Sequence, residues 1–219
     1  MLKVKCLVLD HDDTVVSSTR ELGYPSFCEI LARLRPGVRI TPDELQLACF
    51  DPGLTAYCRD VHGFTDEEIE REEDHWREYV KAHMPLFFPG MADLIRRYKA
   101  DGGCLCVVSQ SHSETIRRDY QEQCGFEPDC VFGRDMEPEH RKPSPYPLLE
   151  IMRRFGVRPQ EMLMIDDLKT GMDMANACGV PFACAGWAHE LPQVVSFMKA
   201  HSPLYLESVG ELEAVLFDE

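Results

Sequence analysis

The chain has 219 residues, 44% of them hydrophobic and 28% charged, an ordinary balance for a globular protein long enough to bury a core. Its 23 lysines and arginines face 38 aspartates and glutamates, a formal charge of −15. Such an excess is repelled by phosphate backbones and anionic lipid, which argues against a nucleic-acid partner or a membrane-surface role.

Residues 4–9 form a short β-type run that ends in acids. After Lys3 and Lys5 the apolar part of this run is only residues 6–9, too short for a secretory signal. Residues 17–86 then hold helical patterns at 24–34, 42–49 and 65–83 and no convincing strand. Thr65 followed by Asp66, Glu67 and Glu68 is a helix start, with a capping hydroxyl and acids in the first turn. Pro85, Pro89 and Gly90 mark the return to a different pattern. From there, helix-like stretches at 91–100, 113–124, 144–155, 170–178, 191–200 and 208–216 alternate with β-runs. The clear runs are 103–109 and 162–166, and weaker ones lie at 130–132, 180–183 and 204–206. Short, all-apolar strands alternating with amphipathic helices predict an α/β fold, a parallel sheet covered on both faces. The expected division is an α/β core of residues 1–16 and 87–219 with an inserted helical segment, 17–86.

The longest stretch free of Asp, Glu, Lys and Arg, residues 174–189, is interrupted by Asn176, Gly179, Pro181 and Gly186, so no spanning helix is expected. Ten cysteines without a CxxC pair read as small buried residues kept reduced, which points to the cytoplasm.

Four places put polar residues at the C-terminal ends of β-runs, where open α/β sheets bind ligands. In Asp10-His11-Asp12-Asp13-Thr14, strand alternation sends Asp10 and Asp12 one way and His11 the other. Two such carboxylates repel, so a shared proton or a cation must hold them together, and oxygen-rich sites suit Mg2+. An acidic turn left in water is the simpler account of these acids taken alone. Val107-Val108-Ser109-Gln110-Ser111 delivers a hydroxyl just before a helix start, either as a plain cap or as an anion contact with free backbone N–H groups. Lys142, ahead of Pro143 and Pro145, is a compact point charge on a constrained loop. Asp166 and Asp167 end another strand just before a helix, and capping explains only one of them.

Two acids, a hydroxyl, a lysine and two more acids, in that order, resemble the haloacid dehalogenase-like hydrolase superfamily, in the subgroup with phosphoglycolate phosphatase and β-phosphoglucomutase. The resemblance extends to Gly171 and Ala177-Cys178-Gly179-Val180, and the helical segment falls where that subgroup carries its cap. It departs at Asp13, where glycine is usual, at Ser17, where an aspartate often follows, and at Leu168, where serine is common. The resemblance implies a Rossmann-like core and an Mg2+-dependent phosphomonoester hydrolase that works on a small phosphorylated metabolite. Asp10 would be the nucleophile and Asp12 the general acid and base. Ser109, Gln110 and Lys142 would hold the phosphoryl group. Asp10, the backbone carbonyl of Asp12 and Asp167 would hold the metal, with Asp166 behind them.

Asp12 favours phosphate chemistry, because a halide leaves without needing a proton. A phosphosugar mutase of the same fold is an alternative, as is a phosphate-accepting regulatory protein. Receiver domains, however, are about half this length and accept phosphate on a later strand. Among the residues of the helical segment, Arg20, Arg33, Arg35, Arg39 and Arg59 are all open to reading the far end of a substrate.

Overall fold

The computed structural model describes residues 2–218. Six strands form one parallel sheet: β1 (Cys6–Leu9), β2 (Cys104–Val108), β3 (Cys130–Phe132), β4 (Met162–Asp166), β5 (Phe182–Ala185) and β6 (Tyr205–Leu206). Their order is β3-β2-β1-β4-β5-β6. The chain therefore builds outward from β1 on one side, crosses over, and continues outward from β4 on the other. Connections diverge at that reversal, which leaves a crevice at the C-terminal ends of β1 and β4.

All residues of β1, β4 and β5 are buried, as a sheet covered on both faces requires. Leu7, Leu9, Leu105, Val107 and Ile165 point into one core with Ile95 and Tyr98 of α5 (Met91–Ala100), Ile116 and Tyr120 of α6 (Ser113–Cys124) and Leu212 and Leu216 of α10 (Val209–Leu216). The remaining helices of this unit are α7 (Tyr146–Phe155), α8 (Lys169–Cys178) and α9 (Pro192–His201). Each strand anticipated from the apolar runs is present. The fifth starts two residues later than its β-run, because Gly179 takes the left-handed conformation that ends α8 and Pro181 brings no N–H to a ladder.

Backbone contacts divide the chain into two compact units, residues 1–16 with 87–219, and 17–86. The second contains α1 (Tyr24–Leu34), α2 (Pro42–Phe50), α3 (Leu54–Asp60) and α4 (Asp66–Ala82) around Phe27, Ile30, Leu31, Leu45, Cys58 and Ile69. Thr65 caps α4 reciprocally with Glu68, and Thr41 does the same for α2 with Glu44. The short helix α3 and a π-helical turn at Thr19–Gly23 were not expected from the sequence.

Candidate active site

Asp10 follows β1 directly, its N–H donating to the Ile165 carbonyl of β4 at 2.8 Å. This backbone bond holds the end of β1 beside the acids that close β4. One carboxylate oxygen each from Asp10, Asp166 and Asp167 lies within 4.8 Å of the others, and all three residues are buried. Lys142 reaches into the same place, its Nζ 2.8 Å from Asp10 Oδ1 and 2.6 Å from Asp166 Oδ2.

Asp166 is held tightly. Its Oδ1 accepts the Leu168 N–H at 2.8 Å, and its carboxylate lies against Gly171 at the start of α8. A Cβ on Gly171 would fall 2.1 Å from Asp166 Oδ2, so only glycine lets the helix approach this closely. Asp167 is gripped from two sides, by the Thr14 hydroxyl at 3.4 Å on Oδ1 and by His189 Nε2 at 2.7 Å on Oδ2.

Asp12 sits a little apart and only half-buried, its Oδ2 accepting from Ser111 Oγ at 2.6 Å and Ser109 Oγ at 3.3 Å. The Ser111 hydroxyl is thus the nearer donor, although Ser109 is the residue that ends the β-run. His11 turns away, as strand alternation requires, and its Nε2 pairs with Asp119 of α6 at 3.1 Å. Gln110 is exposed and does not converge on the acids; its side-chain amide donates to the Lys142 carbonyl at 3.3 Å and so braces that loop.

Asp13 has φ 53°, the left-handed region where glycine is free and aspartate is among the few other residues tolerated. The glycine usual at this position thus has a conformational reason.

Burial pushes the Asp10 carboxyl well above its ordinary range, against the pull of Lys142, and pushes Asp166 up to about 6. Burial alone would lower Lys142, but Asp10 and Asp166 outweigh it and keep the ammonium charged. Lys142 thus lies between two of the buried acids, Asp10 and Asp166, while Asp167 is paired with His189. Asp10 Oδ1, although near Lys142, receives no hydrogen bond of good geometry. An all-oxygen donor set from three buried acids brought within 4.8 Å of one another fits a hard divalent cation.

Thr14, Ser111 and His189 were missed as neighbours of the acids. Ser111 had a signal, being two residues beyond Ser109 in the same turn. His189 had none in its local sequence; the pairing of β4 with β5, which sets Asp166 opposite Cys184, carries the chain after β5 to Asp167.

The β3-β2-β1-β4-β5-β6 sheet is a doubly wound α/β fold with acids and a buried lysine at its switch point. A family model described as haloacid dehalogenase-like hydrolase matches residues 4–179, and the chain belongs to that family. It is 26% identical over 214 residues to phosphoglycolate phosphatase of Thiobacillus denitrificans, covering 86% of each chain. With the enzyme of that name from Chromobacterium violaceum the match is 28% over 116 residues, about half of either chain (52% and 51%). A haloacid dehalogenase-like hydrolase structure from Bacteroides fragilis superposes with a TM-score of 0.79 at 22% identity, covering 96% of this chain and all of that one. CbbY from Rhodobacter sphaeroides, solved with xylulose-1,5-bisphosphate, gives 0.74 at 20% identity over 95% and 96% of the two chains. No helix among the described residues is long and apolar enough to cross a membrane.

Proposed function

We propose that the protein is an Mg2+-dependent phosphomonoester hydrolase that works on a small phosphorylated metabolite through an aspartyl-phosphate on Asp10. The observation that carries this reading is the Lys142 ammonium, buried and bridging Asp10 and Asp166 beside a third acid. An attacking carboxylate needs its charge offset before it can meet an anionic phosphate, and this lysine is in place to do so.

Asp10, the Asp12 backbone carbonyl and Asp167 would hold the cation, with Asp166 supporting it, and the bound ion would screen the charge between carboxylate and phosphate. A carboxylate oxygen of Asp10 forms the new P–O bond as the bond to the leaving alcohol breaks. Asp12 gives that alcohol its proton, then takes one from the water that hydrolyses the acyl phosphate and restores Asp10. The bond from Ser111 to Asp12 orients this acid–base group. Ser109, the Gln110 backbone and Lys142 hold the phosphoryl oxygens.

Residues 17–86 are proposed as the cap that selects substrate. The substrate class follows the names of the relatives, phosphoglycolate and sugar phosphates, and ten free cysteines suit the reducing cytoplasm. A panel of phosphorylated metabolites with and without Mg2+ tests the reading. Phosphate release that EDTA abolishes and Mg2+ restores is the expected result. Stoichiometric phosphorylation without turnover, or release indifferent to EDTA, would refute it.

A further inference from the structure

A second cluster of metal-ligating side chains lies at the opposite end of the strands from the acids. Cys6 opens β1, Cys104 opens β2, and the parallel register sets the two side by side, with Cys106 next along the same face. The Cys106 sulfur is 4.0 Å from that of Cys6 and 3.8 Å from that of Cys104, and all three lie within 4.8 Å of one another. A zinc ion bound to thiolates at about 2.3 Å in tetrahedral geometry needs sulfurs about 3.8 Å apart. The two edges of the tripod that meet at Cys106 have close to that spacing, and no disulfide bridges the three cysteines.

The backbone around the cysteines is held in place by specific contacts. Cys6 and Cys106 are buried while Cys104 is half-buried. Asp129 Oδ2 accepts the Leu105 N–H at 2.7 Å, fixing the backbone between Cys104 and Cys106, and is itself held by Lys99 at 2.6 Å. Gly103 lies so close to the Tyr98 ring that a Cβ would come within 2.2 Å of it, which locks the start of β2. Cys130 is set opposite Cys106 in the register, but its sulfur faces the Arg154 guanidinium at 3.5 Å and lies outside the tripod.

We propose that Cys6, Cys104 and Cys106 form a metal site separate from the carboxylate cluster, taking Zn2+ through three sulfurs with water at the open position beside Cys104. Each coordinating thiol gives its proton to solvent as its sulfur–metal bond forms, and no electron is transferred. Hard Mg2+ does not compete for these sulfurs, so the two sites load independently.

The test uses the reduced full-length protein, stripped of metal and held in excess Mg2+ to occupy the carboxylates. Cd2+ is added while thiolate-to-metal charge-transfer absorption is followed, and Zn2+ is then used to displace it. One Cd2+ per chain, with proton release and displacement by Zn2+, is expected. Cys104→Ser should weaken binding by roughly 100-fold or more, since even loss of a residue supporting a ligand costs 10–100-fold. Cys28→Ser and Cys178→Ser should leave it unchanged. Cys106→Ala provides a second variant whose folding is checked by circular dichroism. The proposal is overturned by absence of charge transfer at one equivalent, by unchanged affinity in Cys104→Ser, or by a signal that appears only as the wild type unfolds.

Discussion

In the α/β unit the pair Lys142–Asp166 keeps only 3% and 1% of its side-chain surface exposed, whereas Arg20–Asp43 in the helical unit keeps 41% and 61%. The two ion pairs look alike as contacts and differ as physics. Taking charges out of water costs several kcal/mol per ion, so a buried pair is a poor route to stability and marks a place where charge is needed. An exposed pair is screened, and contributes about 0–1 kcal/mol. The helical unit uses its arginines locally. Arg35 bonds both oxygens of Glu68 and the carbonyls of His62 and Gly63, while Arg59 pairs with Asp66 and Arg33 with Glu29. Each arginine that stood open as a substrate reader has a partner inside its own unit, Arg39 on the Val38 carbonyl included. The buried pair lies at the candidate site in one unit, and half-buried to exposed pairs set local geometry in the other.

Asp10→Asn should give the largest effect. If Asp10 is the nucleophile, turnover falls at least about 1000-fold, the scale seen when a covalent catalyst is removed. Phosphate release measures this, and residual activity within tenfold of wild type would end the assignment. Lys142→Met comes next. It leaves Asp10 and Asp166 buried without their cation, and should cost about 3–5 kcal/mol in urea unfolding of the metal-free protein. Arg20→Met, measured in the same way, should cost no more than about 1 kcal/mol. Equal costs would erase the contrast between the units.

The same contrast explains what the sequence disclosed. A short apolar run such as 162–165, closed by Asp166 and Asp167 and followed by renewed helical periodicity, reads as a buried strand in an alternating α/β pattern. The sheet and its strand-end acids were legible for that reason. The helix α3 was not, because it has seven residues and begins after Gly53 at φ 99°, with no capping side chain. At the site, the residues that end strands were legible and their braces were not. His189 reaches Asp167 from 22 positions away, a proximity created by sheet order rather than by any local spacing. The cysteines carried the opposite lesson. Read one at a time they are small core residues, and only the register of β1 on β2 turns three of them into a cluster.

The smallest effect concerns Glu68, and its sign can be fixed in advance. The Arg35 guanidinium, followed by the Thr65 N–H, holds the Glu68 carboxyl down to about 2. A carboxylate depressed in the folded state adds stability in full above its unfolded value of about 4.3. That contribution disappears as pH falls from there toward 2, because the folded state must finally take up the proton the unfolded state already holds. Glu68→Gln removes the titration while keeping a side chain able to cap α4. The unfolding midpoints of wild type and variant should therefore differ more at about pH 6 than at about pH 3, with the other acids common to both cancelling in the subtraction. Arg35→Met should flatten the pH response in the same way, since the guanidinium is the main cause of the shift. A wild-type-minus-variant difference that stayed constant across this range would mean that Glu68 acts through its shape alone, and the charge-based account of the helical unit would lose its clearest case.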